Sequence, residues 1–550
     1  MRTNLLILFT IIFQTLTQGQ TPILTAQFDQ ILAEQFKPGE PGAAVLVAVK
    51  GQVIYKKAIG IADMELNVPL QPDMIFRIGS VTKQFTAVAI LQLVEQGKMS
   101  LQDEITAFIP DYPTHGKTIT VEHLLTHTSG IKSYTEMSEW DEMTRRKDFT
   151  PTGLIDFFKN QPMDFDPGTK WNYSNSGYIL LGYIIEKVSG KSYGEYVADN
   201  FFKPLGMHNS YYDDDAPIIK NRAKGYQKNL TDFENAAYLS MTQPYSAGSL
   251  MSTVEDLMIW TKAIHSYKLV QQKLMQKAFA SYILPDGTNT HYGYGLSMNY
   301  LLGSPTVEHS GGINGFLSNL IYLPKEDVCV AIIANCDCNP PNDVSNKMAA
   351  LAAGIALTPK PITVDASALD AYVGVYESAE KVLRTISVDK GQLYSQRAGG
   401  AKLKLIPFEK DQFYFDGPLA RATFVRDASG AKADKVLIND RTGVANVWTR
   451  TDKAPPAARK ELQLTAVQLD PLTGQYELMP GFNIEVTRKE NRLFAQATGQ
   501  EQFEIFAASE TRFFLKAVEA DIEFFPDEKG VVSKMILYQG GQEMEGKRVK

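Results

Sequence analysis

Ser80 and Lys83 stand three residues apart at the start of a long apolar segment, in FRIGSVTKQFTAVAILQLV. Residues at this spacing share one face of a helix, so the hydroxyl and the amine can touch. A serine hydroxyl beside an uncharged amine is an activated nucleophile, because the amine can take its proton. The Ser-x-x-Lys pattern opens a long apolar helix, which predicts burial, only at Ser80. Its other occurrences begin at Ser129, Ser378, Ser387 and Ser429.

Lys83 can act as a base only if its amine is uncharged at the working pH. A lysine has a pKa of about 10.4, so a base near pH 7 needs roughly 4 kcal/mol of preference for the neutral form. Burial or a neighbouring cation can supply that preference. The alternative is a serine that caps the helix and a lysine in solvent. The apolar segment disfavours this alternative, because it lacks a polar face.

A second polar motif, WNYSNSGYILLG, places Tyr173 and Asn175 just before another apolar helix and holds the one Tyr-x-Asn of the sequence. The phenol could relay a proton between Ser80, Lys83 and a leaving group, and the amide could hold a substrate amide or carbonyl. The alternative is a loop tyrosine that only packs its ring.

A third motif, VEHSGG at Val307 to Gly312, opens a late pair of strands. Its glycines would let a substrate approach the backbone, and an N–H group there could complete an oxyanion hole with that of Ser80. Taken alone, His309 would more often be structural.

Together, the three motifs resemble the penicillin-recognising serine hydrolases of the peptidase S12 type: class C β-lactamases, serine D,D-carboxypeptidases, D-aminopeptidases and related esterases. The resemblance covers about Gln27 to Ala356 and extends to segments such as VEHLLTHTSGI and SAGSLMSTVEDL. It implies a nucleophile, two acid/base partners, substrate contacts and two backbone oxyanion donors. By this resemblance the nucleophile is Ser80, the acid/base partners are Lys83 and Tyr173, the substrate contacts are Asn175, His309 and Gly311, and the oxyanion N–H groups belong to Ser80 and Gly312.

The late motif departs from one branch of this family. Class C β-lactamases carry Lys-Thr-Gly there, whereas this chain has His309-Ser310-Gly311. The histidine resembles the carboxypeptidase, aminopeptidase and esterase branches, so we expect a peptidase or esterase that forms an acyl-enzyme. A class C-like β-lactamase and a non-catalytic penicillin-binding or cell-wall-binding module are the alternatives. The choice of acylation base between Lys83 and Tyr173 stays open.

The first domain, expected at residues 20–358, reads as an α+β fold. GAAVLVAVKGQVIYKKAIGIAD predicts a hairpin that turns at Lys50-Gly51, and HSGGINGFLSNLIYLPKEDVCVAIIAN predicts two more strands about 250 residues later. Helical patterns fill the interval. We therefore expect one antiparallel sheet built from both ends of the domain, flanked by helices and holding a helical insertion, as in β-lactamases and transpeptidases.

The remaining sequence repeats itself at a spacing of 100 residues, which indicates two copies of one domain, expected at residues 367–452 and 465–550. Eight short alternating segments in each copy predict a closed, lipocalin-like, eight-stranded barrel. We expect a scaffold, lid or docking role, and similar domains are found on some peptidase-like family members. The identities include Leu369 with Leu469, Tyr376 with Tyr476, Gly430 with Gly530, and Leu437 with Leu537.

The N-terminal segment and the net charge indicate where the protein is located and which ligands it binds. Residues 1–19 join Arg2 to an apolar run and read as a signal peptide, so we expect a secreted or periplasmic protein with no stable membrane span after its removal. The net charge of −7, with acids and bases interspersed, argues against nucleic-acid binding. We expect a small-molecule or peptide substrate, such as a D-amino-acid peptide, an ester or a β-lactam, and no cofactor.

Some residue patterns imitate other sites. Gly190 to Gly194 fits the Gly-x-Ser-x-Gly elbow of α/β-hydrolases but follows a helix where that motif follows a strand. His123 and His127 are spaced for one helix face but lack the glutamate of a zinc protease. Cys336 and Cys338 are expected to be unpaired thiols, because further soft metal ligands are missing and three cysteines make no disulfide framework. No metal site is therefore expected.

Overall fold

The computed structural model describes residues 22–214, 216–229, 232–398, 400–443, 445–453, 461–479, 482–497, 502–515, 520–527, 530–539 and 542–549. The expected signal peptide, residues 1–19, lies outside these ranges. Within them, no helix is both long and apolar enough to cross a bilayer. The described residues form two compact units, one within Met1–Lys228 and Phe233–Ile355 and the other within Asn229–Asp232 and Ala356–Lys550. The finer domain boundaries given above stay predictions.

The first unit combines one large sheet with many helices. Its strands are β1 (Ala43–Val49), β2 (Gln52–Ile59), β3 (Ile61–Asp63), β4 (Val68–Pro69), β5 (Phe76–Arg77), β6 (Tyr211–Tyr212), β7 (Tyr226–Lys228), β8 (Phe233–Asn235), β9 (Leu250–Ser252), β10 (Ser297–Leu301), β11 (Ser304–Ile313), β12 (Phe316–Leu323) and β13 (Val328–Ala334). Its helices are α1 (22–35), α2 (Thr82–Glu95), α3 (Val121–Leu125), α4 (Glu142–Arg145), α5 (Pro151–Phe158), α6 (Asn175–Ser189), α7 (Tyr193–Val197), α8 (Lys203–Leu205), α9 (Tyr245–Gly248), α10 (Val254–His265), α11 (Gln272–Ala278) and α12 (Asn342–Ala352).

The expected sheet built from both ends of the domain is confirmed. Its strand order is β10-β11-β12-β13-β1-β2, so the early hairpin joins the late strands through antiparallel pairing of β1 with β13. The apolar runs AAVLVAV and VCVAIIA form these two central strands, which are buried almost throughout because helices cover both faces. The hairpin turns at Lys50 and Gly51, both in the left-handed region with φ of 51° and 71°.

The helical insertion packs around α2. This helix buries residues on every side, as its all-apolar sequence predicted, and it lies against α6 and α9. Phe85 stacks on Trp260 of α10, with ring centroids 3.8 Å apart. Burial of α2 matters for function, because Ser80 and Lys83 lie at its N-terminal end.

The second unit contains two closed eight-stranded antiparallel barrels, which confirms the expected fold of the C-terminal region. The first barrel consists of β14 (Gly374–Glu377), β15 (Leu383–Asp389), β16 (Gln392–Arg397), β17 (Lys402–Glu409), β18 (Gln412–Phe415), β19 (Arg421–Arg426), β20 (Ala433–Asn439) and β21 (Ala445–Thr451). After α13 (Ala466–Leu469), the second barrel consists of β22 (Gly474–Met479), β23 (Phe482–Lys489), β24 (Arg492–Ala497), β25 (Phe503–Ala507), β26 (Arg512–Leu515), β27 (Ala520–Pro526), β28 (Val532–Gln539) and β29 (Gln542–Arg548).

The fixed spacing of 100 residues between the barrels fails near their ends. The turn closed by the Asp427 N–H and the Lys432 carbonyl is one residue longer than the turn closed by Asp527 and Val531. As a result, Leu537 points into the second barrel whereas Leu437 alternates with the buried residues of β20. The pairing of these two leucines as equivalents was therefore wrong by one residue.

The cysteines also differ from expectation. Cys336 and Cys338 form a disulfide just after β13, where the turn brings their Cα atoms to 5.2 Å, within the range that a disulfide requires. The expectation of unpaired thiols was wrong for this pair, because counting cysteines tests for a framework and not for a local bridge. Cys329 is a free, buried cysteine.

Candidate active site

Ser80 lies in a 3-10 turn, Gly79–Val81, that leads directly into α2. The turn requires glycine at position 79, where φ is +51° and a Cβ would stand 2.9 Å from the backbone nitrogen of Gly312. The turn therefore lies against the end of β11. Glycine is equally required at Gly311, where a Cβ would overlap the carbonyl oxygen of Ile78. Two of the three motifs thus meet backbone to backbone.

Lys83 is fully buried one helical turn after Ser80. Its Nζ lies 3.0 Å from the Ser80 Oγ, 2.9 Å from the Asn175 Oδ1 and 2.9 Å from the Ala247 carbonyl oxygen. Amide and carbonyl oxygens can only accept hydrogen bonds. An uncharged amine would therefore donate its two N–H groups to Asn175 and Ala247. Its lone pair would then face the Ser80 hydroxyl, which is the arrangement of a base beside its nucleophile.

Burial lowers the pKa of Lys83 well below its ordinary value of 10.5. Desolvation is the cause, since it disfavours the charged amine. Among the described residues, no carboxylate offsets this effect by pairing with the amine. The site thus favours the neutral form that proton acceptance requires.

Tyr173 lies in the loop before α6, and the Lys83 Nζ stands 4.8 Å from the centroid of its ring. Burial raises the pKa of the Tyr173 phenol well above 10, and a hydrogen bond with the Ser80 hydroxyl opposes only part of that rise. The phenol is therefore protonated at neutral pH. In this state Tyr173 can give a proton, whereas Lys83 can take one.

Asn175 begins α6, whose N-cap is Ser174. Its backbone N–H donates to the Ser133 Oγ at 3.1 Å, and its Nδ2 donates to the Thr135 Oγ1 at 3.1 Å. These bonds orient the amide so that its oxygen faces Lys83. Asn175 thus binds the Lys83 amine directly. The sequence had suggested only a contact between its amide and the substrate.

His309 lies on β11 and is buried. Its Nδ1 donates to the carbonyl oxygen of Ser310 at 2.6 Å, so its Nε2 accepts from the Tyr292 hydroxyl at 2.9 Å. Burial, with a smaller contribution from the Lys83 amine, lowers the pKa of His309 to about 3. The ring is neutral at pH 7, and its centroid lies 6.2 Å from that of Tyr173.

His127 is a neighbour of the site that sequence reasoning missed. Its Nδ1 accepts from the Ser174 N–H at 3.1 Å, and its ring centroid lies 4.2 Å from that of Tyr173 and 4.7 Å from that of Tyr292. Its buried Nε2 has no hydrogen-bond partner among the described residues. His127 fixes the loop that carries Tyr173. The available signal was THTSG, a polar turn directly after an apolar helix.

Other contributors to the site were equally hidden from sequence reasoning. Tyr292 belongs to a loop before β10, and the Ala247 carbonyl belongs to α9. Their signals were the Tyr-Gly alternation of HYGYGL and the small residues of SAGSLMS. Neither pattern predicts a contact. Ala247 meets Lys83, and Tyr292 meets His309, only because the tertiary fold brings distant segments together.

The imitating patterns have other roles in the structure. Ser192 caps α7 by accepting from the Glu195 N–H, and the preceding element is α6 where a nucleophile elbow would have a strand. His123 accepts from the Thr120 N–H at the start of α3. In the described part of the chain, no three His, Cys, Asp or Glu side chains are grouped so as to hold a metal ion.

Most of the chain is similar to known protein families. The profile of the family described as Beta-lactamase matches residues 28–355, more than half of the chain, and the profile described as Domain of unknown function (DUF3471) matches residues 458–548. The chain therefore belongs to the Beta-lactamase family, and it is a serine hydrolase.

Several relatives are similar over long ranges. Penicillin-binding protein 4* of Bacillus subtilis (strain 168) is 26% identical over 529 residues, which cover 92% of this chain and 94% of that protein. The structure of the octameric penicillin-binding protein homologue from Pyrococcus abyssi is 29% identical with a TM-score of 0.54, covering 78% of this chain and 99% of that chain. A D-stereospecific amidohydrolase from Streptomyces sp. is 26% identical with a TM-score of 0.52, covering 59% and 98%.

Proposed function

We propose that this protein cleaves amide or ester bonds through an acyl-enzyme formed on Ser80. The Ser80 oxygen attacks the substrate carbonyl carbon as its proton passes to the Lys83 amine. Backbone N–H groups of Ser80 and Gly312 stabilise the oxyanion, and collapse expels the leaving group, which takes up a proton. Water then attacks the ester, releases the acid and restores the Ser80 hydroxyl. The observation that carries this proposal is the contact of the Ser80 Oγ with a buried amine whose two N–H groups have carbonyl acceptors.

The opposite effects of burial on the two candidate bases support different roles for them. Burial lowers the pKa of Lys83 and raises that of Tyr173. Lys83 therefore serves as the acylation base in this proposal, and the Tyr173 phenol gives a proton to the leaving group. The charged Lys83 amine then returns the Ser80 proton to Tyr173, so both groups are neutral again before water attacks. Asn175 orients Lys83 and, with His309 and Gly311, contacts the substrate.

Within this class we propose a D,D-carboxypeptidase-like or D-aminopeptidase-like peptidase, or an esterase. A neutral His309 where class C β-lactamases carry a lysine supports these branches, and so does similarity to a D-stereospecific amidohydrolase. A lysine would offer a fixed positive charge to an anionic substrate, whereas a neutral imidazole carries none.

We also propose that the protein is exported. The apolar segment of residues 1–19 supports export, and the disulfide between Cys336 and Cys338 is typical of oxidising compartments. Detection of the mature protein in a secreted or periplasmic fraction, with an N-terminus near residue 20 by mass spectrometry, would test this.

The proposal is tested with purified full-length protein and four reagents: a 4-nitrophenyl ester, a D-Ala-D-Ala peptide, a D-amino-acid amide and a fluorescent penicillin. We expect turnover of at least one and covalent labelling at Ser80, read by peptide mass mapping. Ser80→Ala should abolish both and keep the thermal midpoint. Ser387→Ala, at another Ser-x-x-Lys pattern, is the matched control and should leave both unchanged. Label on another residue, or turnover by Ser80→Ala, would refute the assignment.

A further inference from the structure

A cavity of about 450 Å³ opens in the first unit. Its lining includes Arg77, three residues before Ser80, and Asn314, two residues after Gly312. The backbones at Gly79 and Gly312 lie against each other. Arg77 precedes this contact in one segment and Asn314 follows it in the other. The lining therefore includes residues close in the chain to both candidate oxyanion donors, although no residue of the catalytic set lines the cavity.

Two arginines share one carboxylate at this cavity. The Arg77 Nε lies 2.7 Å from the Asp213 Oδ2, and the Arg222 Nη2 lies 2.9 Å from the Asp213 Oδ1. The Asp213 side chain is fully buried, while those of Arg77 and Arg222 are 16% and 28% exposed. The carboxylate thus lies behind the guanidinium groups, and the trio keeps one positive charge directed towards the cavity.

The other charged groups near the cavity form one cluster around Lys224. Lys224, also in the lining, pairs with Glu65 at 2.6 Å and with Asp63 at 3.4 Å. The amides of Asn235 and Asn314 donate to Glu65 and to the Ala237 carbonyl. The lining itself contains no Asp or Glu among the described residues. Lys224 thus has two carboxylates against its one charge, so the guanidinium groups of Arg77 and Arg222 are the cations of the lining that can bind an anion.

The arginine pair is held in place by the backbone. The Ile75 N–H donates to the Asn221 carbonyl at 2.9 Å, and the Ala223 N–H donates to the Ile75 carbonyl at 3.0 Å. These bonds set Arg222 beside β5, which carries Arg77. A guanidinium held in a fixed position loses little conformational freedom when it binds a carboxylate or phosphate.

We propose that this cavity binds a negatively charged group, carboxylate or phosphate, on the substrate whose carbonyl Ser80 attacks. The proposal rests on the proposed function and adds the charge of the substrate. Arg222 is the main specificity determinant, because it is the more exposed guanidinium and its removal leaves Asp213 paired with Arg77.

Matched substrates test the proposal in the full chain. For the acyl side, 4-nitrophenyl hexanoate is compared with the mono-4-nitrophenyl ester of adipic acid, which has the same carbon chain and a terminal carboxylate. For the leaving-group side, phenyl acetate is compared with 4-acetoxybenzoate and 4-acetoxyphenyl phosphate. We expect wild type to prefer an anionic substrate, and Arg222→Gln to lower kcat/KM for it roughly tenfold to hundredfold, the range of a charge-assisted hydrogen bond. Neutral substrates should change less than about twofold, and Arg222→Lys should restore part of the loss.

A binding measurement separates this proposal from the proposed function. Calorimetry with adipate and with phenyl phosphate, on Ser80→Ala protein with and without Arg222→Gln, needs no turnover. Loss of binding in the Arg222 variant supports the anion site even if no ester is cleaved. Arg492→Gln, at an exposed arginine of the second barrel, is the control. Equal rates for anionic and neutral substrates together with no Arg222-dependent binding would overturn the proposal while leaving the proposed function standing.

Discussion

Lys83 in the active site and Arg384 in the first barrel are both basic side chains largely removed from water. Burial changes their protonation differently. Lys83 has oxygen partners for its N–H groups, and burial lowers its pKa well below 10.5. Arg384 donates through Nη1 to the Ser395 Oγ at 2.8 Å and lies 4.5 Å from the centroid of the Trp448 ring. Its Nε has no hydrogen-bond partner among the described residues.

The difference is whether each side chain can lose its proton near neutral pH. Burial, with a smaller contribution from Arg397, lowers the pKa of Arg384 to about 10, so its guanidinium stays charged at neutral pH. An amine begins from a lower pKa and can release its proton altogether. The same desolvation therefore creates a base in the active site and, in the barrel, a cost that Ser395 and the Trp448 ring offset only in part.

The second barrel shows that the barrel fold does not need this cation. Strand pairing places Ile484 and Ala495 where the first barrel has Arg384 and Ser395. Both replacements belong to the apolar core of the second barrel. Arg384 is therefore a property of the first copy and not of the architecture.

Lys83→Arg tests the comparison most severely, because it puts a guanidinium where the amine acts. We expect kcat/KM for a 4-nitrophenyl ester to fall roughly a thousandfold, within the range of general-base contributions, since arginine keeps its proton. Pre-steady-state kinetics should show loss of the acylation burst. Lys83→Met, which removes the amine, should fold but stay equally inactive. A burst of normal rate in Lys83→Arg would show that another group accepts the Ser80 proton.

Tyr173→Phe tests whether Tyr173 acts as the acid while Lys83 acts as the base. It removes the phenol and keeps the ring beside His127 and Lys83, so the fold should be unaffected. We expect a loss of roughly a hundredfold in kcat/KM for amides, whose leaving group needs a proton, and a smaller loss for a 4-nitrophenyl ester. Parallel assays of a D-amino-acid amide and the ester measure the contrast. Equal losses on both substrates would contradict the role of Tyr173 as the acid.

The pH dependence of stability tests whether Lys83 is neutral in the folded protein. Its folded pKa is lowered, so between that pKa and about 10.5 the unfolded chain binds one more proton than the folded chain. Stability must therefore rise with pH in this window, by about 1.4 kcal/mol per pH unit, and must be lost as pH falls through it. Native-state hydrogen exchange of α2 amides at pH 8, 9 and 10 can measure the slope. Lys83→Met should lack this contribution, and identical slopes would mean a charged amine.

The features of the fold and site that were predictable from the sequence are those that depend on interactions between residues close in the chain. The strands of the first barrel and the hairpin at Lys50-Gly51 depend on local alternation and turn chemistry, and both were correctly predicted. The contact of Ser80 with Lys83 follows from helical spacing alone.

The positions of His127 and Tyr292 beside Tyr173 were not predictable, because they join loops far apart in sequence. The shift between Leu437 and Leu537 escaped notice because a turn shortened by one residue leaves the alternation on either side intact. Sequence patterns report local periodicity, whereas these features depend on how separate segments meet.

The smallest expected effect comes from giving the first barrel the residues of the second. Arg384→Ile with Ser395→Ala removes a partly buried charge together with its single side-chain hydrogen-bond partner, so no polar group loses its counterpart. We expect the first barrel to become more stable by about 1 kcal/mol, since replacing buried charged groups by apolar residues is often neutral or stabilising. Hydrogen exchange of β15 and β16 amides in the full chain measures the change, with β23 and β24 as the internal control. The reverse change, Ile484→Arg in the second barrel, should cost more, because Ala495 offers no hydroxyl. Destabilisation by Arg384→Ile with Ser395→Ala would mean that the stack on Trp448 outweighs the desolvation of the guanidinium, and the contrast with Lys83 would then fail.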